Sequence, residues 1–343
     1  MKILAEGPVL LFDCLYAFSL ASLFIPPHLF WPSGFLTYLL PFFFLLNFVI
    51  LLTTLFLKSS LCIISFILCL PSLYLFHVLC PLSAKVQTPA NFHILSYNIS
   101  GYSHYKKPKE YSALEKFLSD SKAEVICLQE FFPPEYKNKS KRQLRNFKKT
   151  AFLEEYPFQF VSAFPPLIGV ATFSKFPIIA KGILFEGKNT HNRGIFTDIV
   201  IGKDTLRIIN VHLESNQLNW FELFTSEHNF VKALHIIKKK QPIRSKQTIL
   251  LKRFIKESPY KSIITGDFNE FPLSYTYFAF KRFLKNGFEE KGRGLGVSFR
   301  PGKSFLRIDH QFFSKGIEIN SYKTISDAPY SDHVPIEGGY SIY

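Results

Sequence analysis

The sequence predicts an α/β domain preceded by transmembrane helices, and three observations carry that prediction. The formal charges are split: residues 1–84 hold only Lys2, Glu6, Asp13 and Lys58, which cancel, so the net charge of +15 falls on the rest of the 343 residues. Long apolar runs fill the front of the chain, whereas short apolar runs alternate with helical patterns behind it. Polar residues recur where those short runs end. A membrane anchor at 1–84 followed by a basic domain at 85–343 is the organisation these features imply.

Three apolar stretches, 9–31, 35–57 and 61–82, open the chain. Each approaches or exceeds the roughly 20 residues a helix needs to span a bilayer. Asp13 and the prolines at 26, 27, 41 and 71 are costs that neighbouring helices can absorb. A cleaved signal peptide explains only the first stretch. The expectation is therefore a multi-pass membrane protein with three spans. Lys2 and Lys58 on one side, against Lys85 on the other, lean toward an inside N-terminus and an extracytoplasmic domain, while Lys106, Lys107 and Lys109 argue the opposite way. Cys14, Cys62, Cys69 and Cys80 lie in the apolar region and Cys127 in a strand-like run; their spacing matches neither a disulfide framework nor a zinc site.

Residues 92–97 read as a strand ending at Asn98, 109–121 as a helix, and 124–129 as a second buried strand ending at Glu130. If the strands run parallel, Asn98 and Glu130 share one sheet edge. Residues 137–149 hold seven Lys or Arg and no acid, either a solvated helix face or a patch for nucleic acid or lipid headgroups. Strand-like pieces follow at 158–163, 169–174, 178–185, 195–201 and 206–211, with a hairpin-like break at Asp204-Thr205. This β-rich middle delivers Arg193 and His212 at strand termini. Residues 217–257 read as helical with a break near Pro242, the Lys238–Lys240 run capping a helix end.

The stretch 263–272 (IITGDFNEFP) reads as a buried strand broken by Gly266. Asp267 and Asn269, two apart, then point the same way, with Phe268 turned into the core. An acceptor-only carboxylate beside a carboxamide suits a phosphate and an oxygen-loving metal, although Asp-x-Asn is more often a simple turn. A helix follows near 274–284, glycines at 287, 292, 294 and 296 mark a loop, and strands follow at 305–313 and 317–325. Ser331-Asp332-His333 closes the set, a strand-end His with a carboxylate available to orient it.

Nine polar residues thus sit at predicted strand ends: Asn98, Glu130, Arg193, His212, Asp267, Asn269, Asp309, Asp332 and His333. The segments LSYN (95–98), ICLQE (126–130), NRG (192–194), NVHLES (210–215), ITGDFNEFPLSY (264–275), RIDH (307–310) and SDH (331–333) resemble the endonuclease/exonuclease/phosphatase superfamily of DNase I-like nucleases, sphingomyelinases and inositol-phosphate phosphatases. The match runs over about 91–343 and leaves the apolar front outside it.

The resemblance implies a four-layer α/β/β/α sandwich (DNase I-like), with the site at one edge of two packed sheets. It implies a divalent cation, Mg²⁺ with Mn²⁺ as the alternative, held chiefly by Glu130 with Asn98, and Asp332 on the metal side or behind it. It assigns His333, paired with Asp309, to activating or orienting water, and Asp267 to a proton or the nucleophile. Asn269, His212 and Arg193 would hold phosphoryl oxygens. Two positions depart from the pattern: Ser100 stands where some nucleases carry an acid, and His310 where an aromatic is common. A membrane-anchored phosphoesterase is the expected function, its substrate a nucleic acid, a phospholipid headgroup or a phosphorylated metabolite. No protein partner is identifiable. A catalytically silent, membrane-tethered module that binds polyanions is the alternative.

Overall fold

The computed structural model describes residues 2–82, 86–100, 108–131, 154–162, 168–187, 190–216, 226–300, 305–328 and 331–343. The basic run at 137–149 lies outside them. Three helices come first: α1 (Lys2–Ser22), α2 (Pro32–Phe56) and α3 (Cys62–Leu79). The first starts and stops earlier than its predicted span, ending before Pro26 and Pro27, which have no N–H with which to extend it. Among the described residues, α2 and α3 are long and apolar enough to cross a membrane by length and composition. The expected three spans thus become two candidates, since α1, with Lys2, Glu6 and Asp13, is not among them.

Two six-stranded sheets follow. The first comprises β1 (Phe92–Asn98), β2 (Val125–Phe131), β3 (Phe158–Ser162), β4 (Gly169–Ser174), β11 (Ile317–Thr324) and β12 (Ile336–Ile342). The second comprises β5 (Ile178–Glu186), β6 (Arg193–Ile201), β7 (Asp204–His212), β8 (Lys261–Asp267), β9 (Lys285–Asn286) and β10 (Asp309–Phe313). Their orders are β11-β12-β1-β2-β4-β3 and β5-β6-β7-β8-β10-β9. The parallel pairs β1–β2 and β7–β8 lie inside their sheets, flanked by antiparallel neighbours.

Apolar residues on the inner faces, among them Ile94, Val125, Ile208, Ile263 and Ile336, form the core between the sheets. Burying each such side chain contributes about 1.5–3 kcal/mol. Helix α4 (Pro108–Ser119) covers the first sheet, setting Leu114 and Leu118 against Leu95 and Leu128. The second sheet is covered by α5 (Glu227–Lys256) and α6 (Tyr275–Lys281), giving the four layers that the resemblance implies.

The N-terminal helices share that last core. Leu23, Leu40, Leu75 and Val78 pack in one cluster with Ile209, Val211 and Leu251. Buried Arg307 donates to the carbonyls of Val78 and Leu79, at the free C-terminal end of α3. Tyr38 of α2 accepts from Asn216 (2.9 Å) and Gln241 (2.6 Å). Beneath it, Arg244 and Glu270 form an ion pair whose side chains are 0 % and 1 % exposed. The last of these helices ends at Leu79, and the helices are seated on the domain rather than held away from it.

Several local expectations change. Pro242 lies inside α5 without ending it. Its missing bond and ring clash cost about 3 kcal/mol, which the buried face of Ala233, Ile237, Leu251 and Ile255 offsets. The β6–β7 turn falls at Gly202-Lys203, before the predicted break at Asp204-Thr205, because Gly202 takes the left-handed φ of 62°. Gly266 does not break its strand: β8 runs on to Asp267, and a Cβ at Gly266 would collide with the Val211 carbonyl. The glycine-rich stretch begins with a short helix, α7 (Gly287–Lys291), rather than a loop. Within 305–313 the strand starts only at Asp309, and the chain's final strand, β12, follows the last motif.

Candidate active site

The two parallel pairs decide where chemistry can occur. Strands β1, β2, β7 and β8 all run toward one edge of the sandwich, and the chain there carries Asn98, Glu130, His212 and Asp267. Antiparallel β10 begins at that edge, with Asp309 opposite Asp267. A cleft of about 540 Å³ opens among Ser100, Glu130, His212, Asp267, Asn269, Asp332 and His333.

Asp267 stands at its centre. One carboxylate oxygen accepts from the Asn269 backbone N–H at 2.7 Å. The other accepts from Asn98 Nδ2 at 3.0 Å and lies 3.6 Å from His212 Nε2 and 3.7 Å from His333 Nε2. Asn269 is anchored by its side-chain amide, which donates to the Leu213 carbonyl at 2.9 Å. Phe268, between them, is buried in the core as its position in the motif predicts.

His333 Nδ1 and Asp309 Oδ2 are 2.9 Å apart, a direct pair. Burial raises the Asp309 carboxyl above its usual range, against the opposing pull of His333. Burial alone would lower the His333 imidazole, yet the carboxylates of Asp309 and Asp267 outweigh it and raise it well above the usual histidine value. The pair therefore favours imidazolium, with Nε2 toward Asp267.

Backbone strain gathers here. Among the described residues, four non-glycine positions have positive φ, and three of them, Ser100, Glu130 and Asn269, line the cleft with φ of 51–52°. Each such residue costs on the order of 1–3 kcal/mol unless its surroundings fix it. At Glu130 the cause is a register irregularity between Leu128 and Phe131 in the β2–β4 ladder, which turns the side chain out of the strand pattern.

The donor set fits a hard divalent cation. Glu130, Asp267 and Asp332 line the cleft with Asp309 behind His333, four carboxylates in all, while Lys240, which also lines it, is paired with Glu214. Oxygen ligands of this kind suit Mg²⁺ or Mn²⁺ rather than a thiophilic metal. Asp267, Asp309 and His333 also place potential ligand atoms within 4.8 Å of one another. The direct His333–Asp309 bond makes those two a hydrogen-bonded pair, leaving Glu130, Asp267 and Asp332 as the carboxylates lining the cleft. Asn98 contributes differently from the simple expectation: its Oδ1 accepts from the Ser100 N–H at 2.9 Å while its Nδ2 faces Asp267 and Glu130. The Ser100 hydroxyl bonds Asp332, so this departure from the family pattern tethers a carboxylate rather than supplying one.

Arg193, expected to hold phosphoryl oxygens, is buried outside the described cleft lining, donating to Glu186 and to Ser162 Oγ. Its neighbour Asn192 reaches the cleft instead, donating from Nδ2 to Glu214 at 2.6 Å. Asn192 and Lys240 were not among the nine residues that the sequence singled out. The NRG motif marked the position of Asn192 to within one residue, whereas Lys240 was hidden in a run that reads as a helix cap. His310 is a core residue: its Nε2 contacts the Glu270 carbonyl at 2.8 Å, and its ring meets Tyr277 and Phe268.

A model of the endonuclease/exonuclease/phosphatase family matches residues 95–333. No curated protein matches the chain. Among solved structures, D. rerio TDP2 complexed with single strand DNA product is 17% identical at a TM-score of 0.55, over 73% of this chain and 98% of that one. The human Nocturnin catalytic domain with bound sulfate is 15% identical at a TM-score of 0.51, over 75% and 96%. A protein from Bacteroides thetaiotaomicron described by the same family name is 19% identical at a TM-score of 0.52, over 75% and 99%. These likenesses establish a shared fold, a DNase I-like α/β sandwich.

Proposed function

Because the chain belongs to the endonuclease/exonuclease/phosphatase family, we propose that it is a divalent-metal-dependent phosphoester hydrolase held at a membrane by its N-terminal helices. The observation that carries this reading is the convergence of Asp267 with Glu130, His212, Asn98 and the His333–Asp309 pair on one cleft edge. Glu130, with Asp332, would hold Mg²⁺ or Mn²⁺, which would supply positive charge against the phosphoryl oxygens when bound, while the Asn98 amide, donating to Glu130 and Asp267, would fix those carboxylates.

The protein's own groups then divide the work. Asp267, fixed through Oδ1 by the Asn269 N–H and through Oδ2 by Asn98 Nδ2, turns Oδ2 toward His212 and His333, where it would take a proton from water lying in line with phosphorus. His333, held as imidazolium by Asp309, donates from Nε2 to a phosphoryl oxygen or orients that water. His212 and the backbone-anchored Asn269 complete the donors around the charge that develops. Asn192 and Lys240, which line the cleft where Arg193 does not, would turn from Glu214 to the outer phosphate oxygens.

D. rerio TDP2 has been solved with a single-stranded DNA product. That complex and the basic composition of this chain support a nucleic acid among the substrates to be tried. The apolar helices support a lipid. Turnover by the full chain is tested on single- and double-stranded DNA, RNA, phospholipids and a soluble aryl phosphodiester, with and without Mg²⁺. Metal-dependent cleavage of at least one class is expected. Binding of polyanions without cleavage of any would instead favour a silent binding module.

A further inference from the structure

Beside the polar cleft lies a second cavity of a different character. It measures about 340 Å³, near the lower end of the roughly 300–1,000 Å³ range of ligand pockets. Tyr38 and Pro41 of α2 and Leu79 at the end of α3 form one wall, and Phe271, Leu306 and Ile308 of the catalytic domain form the other. Ser215, Asn269 and Phe299 line both cavities, so the two share a boundary at the catalytic residues.

We propose that this chamber receives the apolar tail of the substrate, and that the cleft hydrolyses the phosphoester of a membrane amphiphile. The inference rests on the hydrolase reading and names its substrate class. Three features select an alkyl or acyl chain over a nucleobase. Pro41, Leu79, Leu306 and Ile308 give the wall its aliphatic part, and its three aromatic rings are already in ring contacts, Tyr38 with Phe271 at 5.3 Å and Phe299 with His333 at 4.6 Å. Polar groups that could read a base edge are engaged: Asn216 bonds Arg244 and Tyr38, and Asn269 bonds the Leu213 carbonyl. Finally, the chamber sits where the α2–α3 hairpin meets the domain, at the start of one helix and the end of the other. Beyond it, the hairpin exposes Phe48, Leu52, Phe66 and Ile67, an apolar surface suited to lipid. A lipid lying against the hairpin could thus lead its chain into the chamber and its phosphate to Asp267.

The test uses the full chain in lipid nanodiscs and a series of p-nitrophenyl alkyl phosphodiesters, from methyl to dodecyl, with Mg²⁺. For the wild type, kcat/KM is expected to rise about fourfold per methylene that enters the chamber, the equivalent of about 0.8 kcal/mol, and then to level off. Leu306→Trp, which fills the chamber, is expected to reduce the octyl-to-methyl ratio of kcat/KM at least tenfold, and Leu79→Trp to do the same. Equal rates for the methyl and octyl esters, or an unchanged ratio in both variants, overturn the inference while leaving the hydrolase reading intact. No turnover of any ester overturns both. A measurement independent of turnover and of variant folding uses phosphatidylcholine with a diazirine at the end of one acyl chain. Cross-links at Tyr38, Leu79 or Phe271 are expected, and cross-links confined to the outer faces around Phe48 and Leu52 contradict the proposal.

Discussion

Five consecutive residues, Asp267 to Phe271, serve two regions with opposite physics. Asp267 and Asn269 face the cleft, where strained backbone gathers three carboxylates, Glu130, Asp267 and Asp332, around the two histidines. Glu270 faces the seat of the N-terminal helices, where Arg244 and Gln241 satisfy its carboxylate and Phe271 stacks on Tyr38. Burial raises the Glu270 carboxyl, but the Arg244 guanidinium opposes that rise and shares its charge. In the cleft, half-buried polar groups pair beside open space; in the seat, they pair fully out of reach of solvent. Activity and stability should therefore respond to different substitutions along this one segment.

The largest separation is expected at His333. His333→Ala should lower turnover per folded molecule by about 10²–10⁴, with a smaller loss in urea unfolding than at Glu270, because the Asp309 carboxyl, already raised by burial, takes up a proton when its partner is removed. Near-normal turnover would remove His333 from the chemistry and blur the distinction. Glu270→Ala should do the reverse. Breaking a buried ion pair strands Arg244 and costs about 3–5 kcal/mol, measured as a lowered unfolding midpoint, with turnover per folded molecule close to wild type. A loss of turnover as large as that at His333 would show that the seat acts on the chemistry directly.

A smaller effect separates the two histidines of the last motifs. Burial, reinforced by Arg307, lowers the His310 imidazole to about 3. The unfolded chain takes up that proton near pH 6.5 and the folded chain does not. Stability from this residue is therefore complete above pH 6.5 and is lost as the pH falls from there toward 3, by up to about 1.4 kcal/mol per unit. His310→Phe should flatten that limb in urea titrations at pH 7, 6 and 5; an unchanged slope would assign it to other groups.

The sequence revealed more of the cleft than of the seat. Asn98, Glu130, His212 and Asp267 were readable because apolar strands end in a polar residue, and parallel pairing brings those ends to one edge. Arg193 was placed one residue from the side chain that reaches the cleft, since the loop entering β6 sets which residue is presented. Lys240 was not legible, because its neighbours across space come from the far end of β7. Strand β12 was missed for its two central glycines, which normally weaken a strand; at Gly338 a Cβ would collide with the Gln311 side chain, so packing requires the glycine. The seat was invisible because the apolar helices read as membrane spans with no indication that Arg307, Tyr38 and Glu270 join them to the domain.

The most direct measurement is a metal titration of aryl phosphodiester turnover by the full chain, comparing wild type with Glu130→Ala at equal folded concentration. Saturable dependence on Mg²⁺ or Mn²⁺ is predicted for the wild type, with at least a hundredfold loss of turnover and a weakened metal response in the variant. Turnover that ignores the metal, or a Glu130→Ala protein indistinguishable from wild type, would contradict a metal-dependent hydrolase built on this cleft.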